Sequence, residues 1–234
     1  MTRIPSRLHI PIGLRYMASA ALFFSLMTVF VKMIGTRIPS AEVVFFRSVI
    51  SVVLTLGMLR HHGISPWGNR KGLLLVRSIS GFMALLCFFY AIARLPLADV
   101  TVIHFTHPVF VALLAALFLR EHVSLRQAAS LFISITGVLV ITRPSFLTRS
   151  AVGMLPPLVV GVAIVGAILA SVAYVLVRKL RESEDPLVVV LWFPLISVPA
   201  AVPIMWSNAV WPTPREWLLL AGVGITTQIA QVYL

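Results

Sequence analysis

Two histidines, His104 and His107, stand three residues apart within an apolar segment of the chain. Titratable side chains are costly inside a bilayer and rarely face lipid, so they nominate a transport pathway. An imidazole that titrates near neutral pH is suited to proton coupling or to binding an anionic substrate. The alternative is a pair of histidines hydrogen-bonded between helices. We do not expect a metal site, because no carboxylate or cysteine partner lies nearby in the helix.

Thr101 and Pro108 share a helical face with His104, and Thr101 extends this candidate pathway. Proline has no backbone N–H, so Pro108 frees a backbone carbonyl and is able to bend the helix. We therefore expect a kink beside the two histidines.

Two arginines, Arg47 and Arg77, lie about one and a half turns inside the ends of two other apolar segments. One interpretation is that both side chains snorkel to the lipid headgroups. The other is that both face a central cavity, where a guanidinium group attracts carboxylate or phosphate. The sequence leaves both interpretations open.

Four further side chains are candidates for the pathway because each puts a polar or aromatic group into an apolar segment: Tyr90, Trp192, Gln228 and Gln231. Trp192 stands near three prolines, and helices interrupted by proline either line a cavity or kink against their neighbours. The two glutamines are expected to hydrogen-bond a polar substrate or another helix. Tyr90 forms either an aromatic cavity wall or ordinary packing.

The composition places these residues in a membrane protein. Of 234 residues, 59% are hydrophobic and only 11% are charged, and the mean hydropathy is +1.01. The net charge of +12 comes from basic residues that lie mostly between apolar runs, which argues for membrane topology and against nucleic acid as a partner. No phosphate-binding loop is present in the sequence, and we expect no cofactor. The expected partners are the lipid bilayer and a small-molecule substrate, and a homodimer stays open.

Eight apolar runs have about the length needed to cross a bilayer: residues 14–35, 41–59, 71–93, 97–119, 125–141, 158–177, 186–205 and 217–234. Capping boxes at Ser124–Gln127 and Thr213–Glu216 and the pair Asp185-Pro186 mark three of the helix starts. The basic loops favour a cytoplasmic N-terminus, because that orientation puts the densest positive clusters inside. The sequence thus predicts an all-α integral membrane protein, a polytopic helix bundle, which we expect in the bacterial inner membrane.

A shift of about 146 residues aligns residues 20–34 with residues 166–180. Both copies hold two small residues four positions apart, which lets neighbouring helix backbones approach closely. These pairs are Ala21 and Ser25 in the first copy and Ala167 and Ser171 in the second. An odd number of helices per repeat inverts the second copy in the membrane, as in many secondary transporters.

The repeat divides the chain into four parts: a cytoplasmic tail (1–13), a first five-helix repeat (14–142), a connecting loop (143–157) and an incomplete second repeat (158–234). Leu234 falls inside an apolar run. We therefore expect a truncated second repeat, with about eight of ten helices present.

Several short motifs together carry a family resemblance: Phe46-Arg47, Gly81–Tyr90 (GFMALLCFFY), Ala91–Leu95 (AIARL), Pro108-Val109-Phe110, Leu119-Arg120-Glu121 and Gly137. In this order and spacing they resemble the EamA-type transporters of the drug/metabolite transporter superfamily. Members of that family usually have a glycine where this chain has Arg120. The resemblance implies ten helices in two inverted repeats, alternating access, and export or uptake of small metabolites.

The favoured function is a secondary transporter, a permease or exporter of small organic metabolites, with proton coupling through His104 or His107 as an option. An intramembrane enzyme is disfavoured. Ser78 and Ser80 precede Gly81, but the flanking glycines of a serine nucleophile turn and an obvious catalytic acid are missing. The remaining alternative is a truncated, non-transporting membrane protein or scaffold.

Overall fold

The computed structural model describes residues 12–118, 124–142, 155–206 and 208–233. Within these ranges the chain forms α1 (Ile12–Ile34), α2 (Ser40–His62), α3 (Lys71–Arg94), α4 (Leu97–His104), α5 (His107–Phe118), α6 (Leu125–Thr142), α7 (Pro157–Leu180), α8 (Pro186–Met205) and α9 (Pro214–Val232). The predicted all-α helix bundle is confirmed. Most of the N-terminal tail, the motif Leu119-Arg120-Glu121, residues 143–154 of the connecting loop and Leu234 lie outside the described residues.

In the described part of the chain, six helical segments are long and apolar enough to cross a membrane, with α4 and α5 counted together as Leu97–Phe118. The other five are α1, α2, α3, α7 and α8, and α6 contains a shorter apolar stretch, Leu125–Val140. Large apolar side chains on the outside of the bundle remain uncovered, for example Leu22 on α1 and Phe132 on α6. An apolar exterior of this kind is compatible with lipid and not with water.

The helix starts follow the predicted capping chemistry. At α6 the Gln127 side chain accepts from the Ser124 backbone N–H at 2.9 Å, and the Ser124 hydroxyl accepts from the Gln127 N–H at 3.3 Å. Thr213 and Glu216 form the second predicted capping box at α9. At α8 the Asp185 carboxylate accepts from the Leu187 N–H at 2.8 Å. Side chains thus satisfy backbone donors that these helix ends leave without a partner.

The fourth predicted run is interrupted at Phe105 and Thr106, so that α4 ends at His104 and α5 begins at His107. Pro108 is the second residue of α5 and provides no N–H to the His104 carbonyl one turn earlier. The His107 Nδ1 lies 2.8 Å from that carbonyl oxygen and donates to it instead. The kink thus lies just before Pro108, where a histidine ring replaces the missing backbone donor.

Helix α8 does not break at its prolines. Pro194, Pro199 and Pro203 all lie inside the continuous helix Pro186–Met205, whereas we expected an irregular segment around Trp192. Each proline removes one backbone hydrogen bond of the helix, and packing against flanking helices can compensate that loss. The helix packs against α2 on one side and against α3 on the other.

The main helix pairs are α1 with α9, α2 with α8, α3 with α7, α2 with α9, and α3 with α8. Exchanging α1, α2 and α3 with α7, α8 and α9 leaves this set of pairs unchanged. An internal two-fold relation between the two triplets produces such a pattern. The centre of the molecule is therefore the junction between the triplets, and α4, α5 and α6 lie to one side.

Glycines allow the closest approaches between the triplets. A Cβ atom added to Gly166 of α7 would lie 2.7 Å from the Cys87 Cβ and 3.4 Å from the Ala84 carbonyl oxygen of α3. One added to Gly81 of α3 would lie 3.1 Å from the Phe193 ring of α8. Gly81 therefore lies at a close contact between α3 and α8.

The two small-residue pairs differ in their surroundings. Ala167 and Ser171 are buried, and the Ser171 hydroxyl lies 3.0 Å from the His107 carbonyl of α5. Ala21 and Ser25 are exposed, and the Ser25 hydroxyl donates to the Ala21 carbonyl within its own helix. The expected packing role of Ala21 and Ser25 is thus not seen. By the repeat, a second-repeat counterpart of α5 would pack on Ala21 and Ser25. None of the described residues forms such a helix.

Replacing Gly166 with alanine should destabilise the protein by about 1–3 kcal/mol, because the added methyl group would lie 2.7 Å from the Cys87 Cβ of α3 and one of the two helices has to shift. Gly161 provides a matched control on the same helix, since a Cβ atom there meets nothing within 4 Å. Gly161→Ala should leave stability unchanged or raise it slightly. Thermal unfolding of the detergent-purified variants measures both effects. Equal melting temperatures for the two variants would contradict the close contact between α3 and α7.

Candidate functional site

A group of polar side chains and one aromatic ring lies at the junction of α2, α3, α8 and α9. We call this group the central cluster. It consists of Arg47, Ser48, Ser51 and Thr55 on α2, Arg77 on α3, Phe193 on α8, and Thr227 and Gln228 on α9. All except Arg77 are buried. Buried polar groups in a membrane protein face the interior of the bundle and mark functional positions.

Arg47 is only 3% exposed. Its Nε donates to the Thr227 hydroxyl oxygen at 3.2 Å, and that hydroxyl in turn donates to the Val223 carbonyl at 2.6 Å. The Arg47 Cζ lies 5.2 Å from the centre of the Phe193 ring. The side chain therefore joins α2 to α8 and α9, and it does not snorkel to the headgroups.

Arg77 of α3 lies at the same ring. Its Cζ lies 5.0 Å from the centre of the Phe193 ring, and its Nε and Nη1 atoms are buried. Arg47 is the eighth residue of α2 and Arg77 the seventh of α3, and each is closer to its own helix start. Both guanidinium groups nevertheless lie at one ring in the interior, where cation–π attraction holds them.

Several buried atoms of the cluster and its neighbourhood have no hydrogen-bond partner among the described residues. They are Arg47 Nη1, Arg77 Nε and Nη1, the hydroxyl oxygens of Ser48 and Ser51, and Oε1 of Gln228 and Gln231. Gln228 uses its amide nitrogen to donate to the Thr55 hydroxyl at 2.9 Å. Each buried polar atom without a partner costs about 1–3 kcal/mol, so a concentration of them at one place requires an explanation.

The two histidines form part of an aromatic row between α3 and α7. The His104 ring lies 4.4 Å from Phe88 and 4.9 Å from His107, and His107 stacks on Tyr174 at 5.1 Å. Among the described residues no group of three metal-ligating side chains occurs.

The other predicted pathway residues have local partners. The Thr101 hydroxyl donates to the Leu97 carbonyl at 2.6 Å within its own helix. Tyr90 lies under the Arg94 guanidinium, 3.7 Å from ring centre to Cζ, at the last turn of α3. The Trp192 Nε1 donates to the Pro66 carbonyl at 3.1 Å and fixes the loop before α3. Of the nine predicted pathway residues, the structure brings Arg47, Arg77 and Gln228 together in the cluster.

Sequence reasoning did not single out Phe193 or the hydroxyl groups of α2. Phe193 resembles every other aromatic residue of an apolar run until its two arginine neighbours are known. The hydroxyl residues did carry a signal, because Ser48, Ser51 and Thr55 follow one another at spacings of three and four. Such a polar stripe on an otherwise apolar helix indicates an inward-facing side.

Contacts between the two triplets also close both ends of the bundle. At one end, the Glu216 end, Arg37 forms an ion pair with Glu216, and Glu42 accepts from the Val210 N–H at 3.0 Å. At the other end, the Glu184 end, the Glu184 carboxylate accepts from the Asn69 N–H at 2.8 Å and also from the Arg70 N–H. The 23 residues of α2 separate the two ends by roughly 33 Å.

Comparison with known families decides the class of this protein. The model of the EamA-like transporter family matches residues 11–143, more than half of the chain. The chain belongs to this family. It is therefore a multi-pass membrane transporter and not an enzyme.

Two of the three relatives of this EamA-like transporter described below have a substrate in their names. The pseudopaline exporter CntI of Pseudomonas aeruginosa is 35% identical, over 92% of this chain and 74% of the exporter. Solute carrier family 35 member G1 of Mus musculus is 33% identical, over 93% of this chain and 63% of that protein. The riboflavin transporter of Brucella anthropi is 26% identical, over 93% and 77%.

The fold of this EamA-like chain is also found in a solved crystal structure. The two superpose with a TM-score of 0.75 at 20% sequence identity, over 94% of this chain and 77% of the other. Among the residues that carried the family resemblance, Arg47 and Gly81 both lie against Phe193. Part of the resemblance is therefore located at the central cluster.

Proposed function

We propose that this chain moves a small organic metabolite across the membrane by alternating access, with the substrate bound at the central cluster. The observation that carries the proposal is the concentration of buried, unpartnered hydrogen-bonding atoms between the two helix triplets. A substrate that bonds to these atoms would supply the interactions they lack. The pseudopaline and riboflavin named for two relatives are both small organic molecules.

The proposal includes two inverted repeats, residues 14–142 and 158–234. The exchangeable helix pairs support it, as does a family match that ends at residue 143. In transporters built from inverted repeats the substrate site lies between the halves near the bilayer midplane. The position of the central cluster between the two triplets supports a substrate site there.

Alternating access requires that each end open in turn, and the contacts at the two ends are suited to this. Each set joins the first triplet to the second through a carboxylate and is located at a loop or helix start. We place the Glu184 end in the cytoplasm, because basic residues gather there: Arg60, Arg70, Lys71, Arg178, Lys179 and Arg181. This orientation puts the N-terminus in the cytoplasm and suits a bacterial inner membrane.

Transport by purified protein in liposomes tests the function directly. Liposomes loaded with a broad panel of metabolites should show protein-dependent efflux of at least one, and Arg47→Gln should remove it while Arg60→Gln, at an exposed site on the same helix, should not. Efflux that never exceeds that of protein-free liposomes loaded with the same metabolites would instead support a non-transporting scaffold.

Proton coupling through His104 and His107 of the aromatic row is a further part of the proposal. Replacing His104 or His107 with glutamine should abolish the pH dependence of flux, because glutamine retains hydrogen bonding but does not titrate near neutral pH. His61→Gln, at an exposed position near the end of α2, is the control. Flux measured across a pH series in the three variants checks this prediction. Unchanged pH profiles in both row variants would exclude the row as the proton carrier.

A further inference from the structure

We infer that the transported solute is an organic anion whose carboxylate or phosphate group binds between Arg47 and Arg77. This inference rests on the proposed function and names the substrate class of the same site. Four observations carry it: the position of the two positive charges, the location of the acidic residues, the unpartnered guanidinium atoms and the unpartnered amide oxygens.

The two guanidinium groups lie at the same aromatic ring, that of Phe193. Each Cζ lies 5.2 Å or less from the same ring centre, so the two charges are within about 10 Å of each other. They repel one another, and water is largely excluded from Arg47. The neutral Phe193 ring attracts both cations only weakly. Such an arrangement favours a negative charge between the two groups.

The described acidic residues do not provide that charge. The chain has only seven Asp and Glu residues, and those in the described ranges lie at helix starts or in the turn between α7 and α8. Glu42, Glu184 and Glu216 bond to Val210, to Asn69 and Arg70, and to Arg37. Within the described ranges no ion pair includes Arg47 or Arg77.

The unpartnered atoms also specify how the anion is held and what else it carries. Arg47 Nη1 and Arg77 Nε and Nη1 are donors without an acceptor, and a carboxylate or phosphate accepts from guanidinium donors at two oxygens. Gln228 Oε1 and Gln231 Oε1 are acceptors for which the described residues provide no donor. A hydroxyl or N–H group on the solute satisfies them, which an inorganic anion such as chloride does not. The solute therefore combines an anionic group with a hydrogen-bond donor.

Ligand-dependent thermal unfolding of the purified full chain tests this assignment without requiring transport. The probes are malate and glycerol 3-phosphate, compared at equal ionic strength with the neutral analogues dimethyl malate and glycerol. At least one anion should raise the melting temperature of the unchanged protein, since a ligand of the folded state stabilises it. Stabilisation by malate alone assigns a carboxylate, and stabilisation by glycerol 3-phosphate alone assigns a phosphate.

Arginine variants then locate the site. Arg47→Gln and Arg77→Gln should each weaken the apparent affinity for the anion at least tenfold, Arg47→Lys should weaken it less, and the exposed control Arg60→Gln should leave it unchanged. Equal stabilisation by anion and neutral analogue, or anion stabilisation that survives in both glutamine variants, would overturn the inference. Anion binding without any flux would overturn the transport proposal alone. Flux restricted to neutral or cationic solutes would overturn this inference alone.

Discussion

Replacing Arg47 with methionine should raise the thermal stability of the purified protein and abolish its transport. Methionine has a similar length and no charge, so the substitution removes a buried cation whose Nη1 has no partner among the described residues. Exchange of a buried ionic group for a well-packed apolar one is often neutral or stabilising by about 1–4 kcal/mol. Thr227 keeps its hydrogen bond to the Val223 carbonyl, so the substitution leaves no new unpaired hydroxyl donor.

Opposite changes in stability and activity would separate substrate binding from a structural role. Arg60→Met is the matched control, because Arg60 is on the same helix but exposed, and its replacement should change neither property. Melting curves and liposome flux measured on the same preparations give both quantities. If Arg47→Met lowered the melting temperature as a cavity in the core would, Arg47 would instead be a structural link between α2 and α9.

Replacing Glu184 with alanine should open the Glu184 end of the bundle. The carboxylate accepts hydrogen bonds from the backbone of Asn69 and Arg70, and hydrogen bonds to a charged group contribute about 1.5–3 kcal/mol each. A loss of even 1.4 kcal/mol changes a two-state population about tenfold. Since the Glu184 side chain joins the two triplets, its loss favours the conformation in which they separate at that end.

Labelling of a cysteine in the central cluster measures this opening. Cys87 is the single cysteine of the chain, so a Cys87→Ser background with Ser51→Cys places one thiol on α2 at a position that is 1% exposed. A membrane-impermeant maleimide should react about tenfold faster from the Glu184 side in Glu184→Ala. Glu216→Ala should increase labelling from the opposite side. Equal increases from both sides would indicate general loosening and would exclude a gate at Glu184.

Composition and helix capping were sufficient to predict the fold. Long apolar runs have few alternatives in a bilayer, and the Ser124, Asp185 and Thr213 caps are local interactions between neighbours in sequence. The break before Pro108 was partly predictable, because proline removes a donor at a known position. The break lies at Phe105 and Thr106, next to the hydrogen bond between the His107 ring and the His104 carbonyl. The sequence does not show where a side chain points, so this hydrogen bond could not be predicted.

The site was predictable only in part, because its geometry depends on contacts between distant segments. The sequence left two interpretations of Arg47 and Arg77 open, and the position of Phe193 decided between them. The pairs Ala21/Ser25 and Ala167/Ser171 have the same spacing, yet one is exposed and the other buried. Spacing identifies the face of a helix but not the helix that covers it.

The contacts that close the two ends have a consequence for sequence divergence. Glu184 and Glu42 bind main-chain N–H groups of Asn69, Arg70 and Val210, and not their side chains. Any residue except proline provides that N–H. We therefore expect relatives to vary the loop residues that face Glu184 and Glu42 more freely than the two carboxylates themselves. At these contacts the two halves meet through main-chain atoms, whereas Arg37 and Glu216 pair through their side chains.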